Sequence, residues 1–436
     1  MSLPTYDWSA LGAAERAALL RRPRVESRAE LGRAVAAIVA DVRARGDQAL
    51  ADHTRRFDGV ETRSLAVSAA EFDAAETALS AAARAAMGRA IDNVRRFHEA
   101  QRAAPLSIET SPGVRCERLE LPLAAVGMYV PAGSAPLPST AIMIAVPAAI
   151  AGCRERVLCT PPRRDGGADP AVLVAARRCG VTRVYKVGGA QAIAAMAYGT
   201  ETIPKVDKIC GPGNAWVTAA KLLVAQDPEG AALDLPAGPS EVLVIADDGA
   251  RAAFVAADLL AQAEHDPAAQ VLLVTPSRRL ATDVAAEVTR QQAGLSRRAI
   301  TEEALAQSRI ILVPDLATAV AVSNAYAPEH LIIEVREPRA LLGSVTAAGS
   351  VFLGDWSPES IGDYCSGTNH VLPTYGYARA WSGLSVHDFV RRVTVQELSA
   401  AGLRDLGPVA ATLAGLEGLD AHANAVAVRL AALGPL

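Results

Sequence analysis

Short β-branched runs alternating with helical stretches are the feature that most narrows what this chain can fold into. ERVLCT, RVYKV and KVDKIC are each followed by a helical stretch, and after the loop DLPAGPSE the runs EVLVIA, QVLLVT, RIILVP, LIIEV and SVFLG repeat the pattern. Parallel strands need long crossovers, usually helices, so this rhythm predicts parallel sheets. The expected class is α/β, with two Rossmann-like but incomplete parallel-sheet units near 130–236 and 237–381. The first hundred residues read as helical. SRAE at Ser27 to Glu30 and SAAE at Ser68 to Glu71 are capping boxes, the second opening a helix through about Gln101. Residues 1–25 form an N-terminal helical segment, 26–129 are expected to pack with 237–381 as a main domain, and 382–436 form a helical tail. The period shifts towards two from Val114, and AAVGMYVP reads as a strand entering a Pro-rich loop.

Composition excludes several partners. Half of the 436 residues are apolar (51%), enough for large cores, and the net charge of -4 with no long basic block gives no electrostatic case for nucleic acid. RRPR at Arg21 to Arg24 reads as a solvated helix end. The most apolar stretch, Leu123 to Ala151, is cut by Pro131, Pro136, Pro138 and Pro147, so no membrane span is expected. The N-terminus lacks a secretory pattern, and the six cysteines show no C-x-x-C spacing. Free thiols and a cytoplasmic location are expected. A covalent thiol is conceivable at Cys153 or Cys116, although a buried small thiol is the plainer reading of Cys153.

Two kinds of polar feature stand out. GGAQA and GPGNA each place backbone N–H groups at a helix start, with Gln191 or Asn214 just inside the helix. Such turns suit a phosphate bound across two loops. The full G-x-G-x-x-G fingerprint is missing, since Trp216 stands at the third glycine, so turns that merely need glycine geometry fit as well. In the second unit, polar residues gather at strand ends. They are Ser240 in GPSE, Gln262 and His265 in QAEH, Glu329 and His330 in APEHL, and Asp355, Glu359, Asp363 and His370 in DWSPESIGDYCSGTNH. Gln262 and His265, three apart, are either half of a metal site or an ordinary polar helix end.

These segments, with VGMYVPAGSAPLPST and LDAHANAVAVR, resemble the histidinol dehydrogenase family in order and over nearly the full chain. The resemblance implies a homodimeric zinc enzyme that oxidises L-histidinol to L-histidine with two NAD⁺ through a bound aldehyde, the last steps of histidine biosynthesis. It implies zinc ligands at Gln262, His265, Asp363 and His422, the last supplied across the dimer interface, and Glu329 and His330 as the catalytic pair. Substrate contacts would be Ser240, His330, Asp363 and Glu417 beside the zinc ligands, and NAD contacts Tyr129, Gln191 and Asn214. An imidazole titrates near neutral pH, which suits His330 to taking the hydroxyl proton; Glu329 would activate the water that hydrates the aldehyde. Adjacent residues on an extended chain point to opposite sides, so the pair could serve two positions around one carbon. Zinc could act as a Lewis acid or hold the substrate in place, and the resemblance favours holding. Ala132 stands where the family usually has Gly, Cys365 where a small residue such as Ala also occurs, and PPRRDGGADP reads as a short surface insertion. A relative acting on another amino alcohol, or a non-catalytic metal-binding relative, is the alternative.

Overall fold

The computed structural model describes residues 3–23, 28–61, 64–132, 135–236 and 238–434. The chain divides into two compact units, 1–101 with 123–389, and 102–122 with 390–436. The first unit opens with β1 (Thr5–Asp7), α1 (Ala13–Leu19), α2 (Arg28–Arg45), α3 (Asp47–Asp58), α4 (Ala69–Ala78) and α5 (Ala81–Glu99). The Ser68 capping box forms: Glu71 N–H donates to Ser68 Oγ, and Ser68 N–H donates to the Glu71 carboxylate at 2.8 Å. The helix it opens ends early, because Ser80 accepts from the Ala83 N–H and starts a new one. Ser27, of the other predicted box, lies outside the described residues.

After β2 (Leu106–Ser111) and β3 (Val114–Pro122), which belong to the second unit, come β4 (Ala125–Tyr129), α6 (Pro138–Ala151), β5 (Glu155–Thr160), α7 (Pro170–Arg178), β6 (Arg183–Lys186), α8 (Gly189–Tyr198), β7 (Lys208–Cys210), α9 (Ala215–Val224) and β8 (Ala232–Leu233). The strands form a five-stranded parallel sheet in the order β6-β5-β4-β7-β8. Then follow β9 (Glu241–Ala246), α10 (Ala252–Ala263), β10 (Gln270–Thr275), α11 (Arg278–Gln292), α12 (Arg298–Ala306), β11 (Arg309–Leu312), α13 (Leu316–Tyr326), β12 (His330–Glu334), α14 (Pro338–Leu342), β13 (Ser350–Leu353) and α15 (Glu359–Tyr364). The second sheet is six-stranded and parallel, in the order β1-β11-β10-β9-β12-β13. The predicted α/β class with two parallel sheets is what forms.

Two expectations about organisation are corrected. The described helices of 28–99 pack instead on those of the first sheet: α2 lies on α8 and α9, α4 on α7 and α5 on α6. Val35, Ile38, Val42 and Leu50 share a core with the small side chains of α8, whose alanines allow close helix approach. The second sheet has no apolar face left to offer. Its own α10, α11 and α12 fill one side, and α13 with Leu19 of α1 the other. Nor is the tail helical throughout. β14 (Val390–Leu398) pairs antiparallel with β3 in a separate three-stranded sheet, β14-β3-β2, ahead of α16 (Ala400–Leu416) and α17 (Asp420–Ala432). The run VRRVTVQEL is nine residues of strand-forming pattern that satisfies the open edge of β3.

Two buried carboxyls meet where β12 faces α10. Burial, reinforced by the charge of Asp258, pushes Glu334 up to about 9, and burial pushes Asp258 up to about 6. Glu334 therefore keeps its proton near neutrality and donates it to Asp258, which also accepts the backbone N–H of Glu359. A carboxyl whose folded pKa is raised adds stability that is complete below its ordinary pKa of 4.5 and is lost as pH rises towards about 9. The loss is at most about 1.4 kcal/mol per pH unit in that window. Glu334→Gln keeps a donor without a proton to lose. Its melting temperature is expected to fall less between pH 6 and pH 9 than that of the parent; equal falls, read by calorimetry, would show that the pair carries no such linkage.

Candidate active site

The site grows from the direction of the second sheet. β9, β10 and β12 run parallel, so their first residues, Glu241, Gln270 and His330, lie along one amino edge. A crossover helix runs antiparallel to its strands, so α10 returns to that edge with Gln262 in its last turn. The helix ends at Ala263, earlier than expected, and His265 follows in a turn with its N–H on the Gln262 carbonyl at 3.2 Å. On α15, Glu359 and Asp363 are four residues apart and share a face. This short helix seats closely on β13: a Cβ at Gly362 would stand 2.4 Å from the Phe352 ring.

Glu329 and His330 converge rather than diverge. Glu329 precedes β12, and its Oε2 accepts the Glu241 N–H at 2.9 Å and a Gln262 amide hydrogen at 3.4 Å. This turns the carboxylate to 3.7 Å from His330 Nδ1. His330 Nδ1 donates to the Glu241 carbonyl at 3.2 Å, which leaves Nε2 towards Asp363 Oδ1 at 3.3 Å. Both side chains are buried. Burial pushes Glu329 up to about 8, with the positive His330 opposing and the Glu241 and Asp363 carboxylates adding. Burial works against the charge of His330, but Glu359, Glu329 and Asp363 outweigh it and raise its pKa well above the ordinary value. Two adjacent ionisable groups with shifted affinities mark a candidate site for proton transfer.

A metal position lies beside them. His265, Glu359 and Asp363 each offer a ligand atom, all within 4.8 Å of one another. One imidazole and two carboxylates suit zinc. Glu359 Oε2 is buried and has no hydrogen-bond partner among the described residues, as a carboxylate awaiting a cation would be. Of the four expected ligands, the structure brings His265 and Asp363 together and sets Gln262 against Glu329 and His330. Ser240 adjoins at the start of β9. Glu417 and His422 belong to the second unit, exposed at the end of α16 and on α17. Glu359 is a third candidate for the metal position that the sequence did not single out, although its spacing of four from Asp363 on a helix entered through Pro358 was a readable signal. Cys153 is buried, burial pushes its thiol up to about 11, and its Sγ donates to the Phe389 carbonyl, as the plainer reading of a buried thiol expects.

The expected NAD residues gather elsewhere. Tyr129 ends β4, Gly188 and Gly189 follow β6, and Gly211 to Asn214 follow β7, all at the carboxyl edge of the first sheet. Gly189 donates its N–H to the Tyr129 hydroxyl at 3.0 Å, and Gln191 lies buried beside it. Asn214 is the N-cap of α9 rather than inside it, its Oδ1 accepting from Trp216 and Val217. Gly211 is required by the chain itself, since a Cβ there would lie 2.2 Å from the Tyr129 carbonyl. The buried Lys221–Asp234 pair clamps this turn, Asp234 accepting the Gly211 N–H at 2.7 Å and Lys221 donating to its carbonyl at 2.9 Å. An open cleft of about 580 Å³ is lined by Asp58, Ala132 and Pro161 to Asp165. The segment expected as a mere surface insertion thus walls a cleft, together with the Ala132 departure.

Comparison with known proteins agrees with this arrangement. The histidinol dehydrogenase family profile matches residues 20–430. The chain is 60% identical to histidinol dehydrogenase of Xanthomonas euvesicatoria over 97% of this chain and 98% of the relative. It is 55% identical to that of Vibrio cholerae over 98% of each. The crystal structure of histidinol dehydrogenase from Elizabethkingia anophelis superposes with a TM-score of 0.95 at 44% identity, covering 99% of both chains. In sequence and in fold alike, the chain belongs to the histidinol dehydrogenase family, oxidoreductases of histidine biosynthesis.

Proposed function

We propose that the chain carries out both oxidations at the amino edge of the second sheet, taking L-histidinol through L-histidinaldehyde to L-histidine with two NAD⁺. One observation carries this reading above others: Glu329, His330, Gln262, His265 and Asp363, from separate stretches of sequence, converge on one locus, with Gln262, Glu329 and His330 buried and Asp363 and His265 towards its open side. In the first step the neutral form of His330, its Nδ1 proton held by the Glu241 carbonyl, takes the hydroxyl proton at Nε2 while hydride leaves the carbinol carbon for NAD⁺, so this step requires the imidazolium to have released a proton beforehand. In the second, the ionised form of Glu329 removes a proton from the water that adds to the aldehyde, and the hydrate gives a second hydride to a second NAD⁺ as its hydroxyl proton passes to His330, which has by then returned its first proton to solvent. Because the main chain of Glu241 holds Glu329 and His330, neither must be ordered at the moment of transfer. His265 and Asp363 would hold zinc with Gln262 and His422, and Glu359 adds a carboxylate to the same place. When bound, zinc would supply a fixed cationic position that holds the substrate beside Glu329 and His330. Tyr129, Gln191 and Asn214 are the proposed NAD contacts, and the six free thiols suit a reducing cytoplasm.

The second unit supports a homodimer. Leu416 is 81% exposed, and Val409, Leu413, Leu419 and Val428 are exposed with it, flanking Glu417 and His422 along the chain. Apolar side chains exposed in such number mark an interaction surface. We place the dimer contact there, with Glu417 and His422 donated to the partner's site.

Purified enzyme supplied with excess NAD⁺ is expected to form two NADH per L-histidinol, to stop on treatment with a chelator and to resume with zinc. A yield of one NADH, or indifference to the chelator, would refute the scheme. Mixing inactive His422→Ala and Glu329→Ala proteins is expected to restore up to about a quarter of the parental activity, since half of the dimers would carry one intact site. No recovery despite demonstrated subunit exchange would mean that each chain builds its own site.

A further inference from the structure

We infer that Arg22 is a positioning residue for this reaction, acting through Glu241 and the bend that leads into Glu329. The sequence suggested a solvated helix end, but the Arg22 side chain is largely buried. Its guanidinium is bidentate to Glu241, at 2.5 and 2.8 Å, and stacks 4.0 Å from the Tyr326 ring centroid. The same nitrogen that bonds Glu241 also donates to the carbonyls of Tyr326 and Ala327, at 2.8 and 3.2 Å. Ala327 is a non-glycine residue at φ +54°, two residues before Glu329. A bend of that kind is held by its surroundings rather than by its own preference.

One cation therefore joins two segments that the catalytic pair needs in register. Glu241 offers its N–H to Glu329 and its carbonyl to His330, and the Ala327 bend sets where both side chains leave the backbone. The Glu241 carboxylate has no slack of its own, because Oε1 also accepts the Tyr375 N–H at 2.9 Å. Arg22 touches neither catalytic side chain. Its effect passes through the distance between the Glu241 peptide and the bend, where a shift of about 1 Å can cost roughly a hundredfold in rate. Lysine cannot replace it, since a point charge on a flexible stem lacks both the fork and the planar stacking surface.

The inference rests on Glu329 and His330 being the catalytic pair, so Glu329→Gln and His330→Asn are measured in parallel. If those variants keep full turnover, that reading fails. For Arg22→Lys the expected result is a fall in kcat of about ten- to a hundredfold. KM for L-histidinol and bound zinc should stay near parental, with a displaced acid limb in the kcat–pH profile. A parental kcat and pH profile would overturn the inference. So would a loss of activity that tracks only the fraction of protein folded. Should Arg22→Lys fail to fold, Glu241→Gln, which keeps the peptide and the side-chain length, is measured the same way, and a parental kcat there overturns the role. Failure of both to fold would mark the pair as a folding strut and likewise overturn it.

Discussion

The peptide of Glu241 is the point on which the site depends. It begins the central strand β9, and it spends its N–H on Glu329 and its carbonyl on His330. Those groups would otherwise close the ladder or meet water. A first-strand residue is free to use them otherwise because the sheet no longer claims both. Burial then makes the arrangement costly to leave. A carboxyl and an imidazole removed from water need the partners they have, and these partners define where each points.

The two sheets of the first unit use opposite edges. The first sheet presents its glycine turns and Tyr129 at the carboxyl edge, the usual place for a nucleotide in an open α/β sheet. The second gathers its titratable residues at the amino edge. Loop residues 365–371 reach from the second sheet's site to the helices over the first. Asn93 donates to the Cys365 carbonyl at 2.8 Å and Asn369 to the Met143 carbonyl at 2.7 Å.

Much of this was legible in the sequence. The β-branched runs from ERVLCT to SVFLG each became a strand of the expected sheet, because buried parallel strands are apolar on both faces and stand out as unbroken runs. The residues proposed to carry the chemistry were singled out by type and by resemblance. What sequence could not show was partnership at a distance. The helical face of Val35, Ile38 and Val42 announces that it will be buried, not by which sheet. VRRVTVQEL is half polar and reads as a strand only once β3 lies open beside it. Arg22 in a basic run has the composition of a surface, and only a glutamate more than two hundred residues later makes burial affordable. Glu359 hid for the opposite reason: in a loop rich in acidic residues, only its spacing of four from Asp363 sets it apart.

The central claim is that the amino edge of the second sheet is a metal-bearing catalytic centre. Anomalous diffraction at the zinc edge from crystals of the zinc-loaded enzyme tests it most directly. The account predicts an anomalous peak within bonding distance of His265 and Asp363, beside His330. A zinc peak confined to any other part of the molecule, with none between those two side chains, would contradict it.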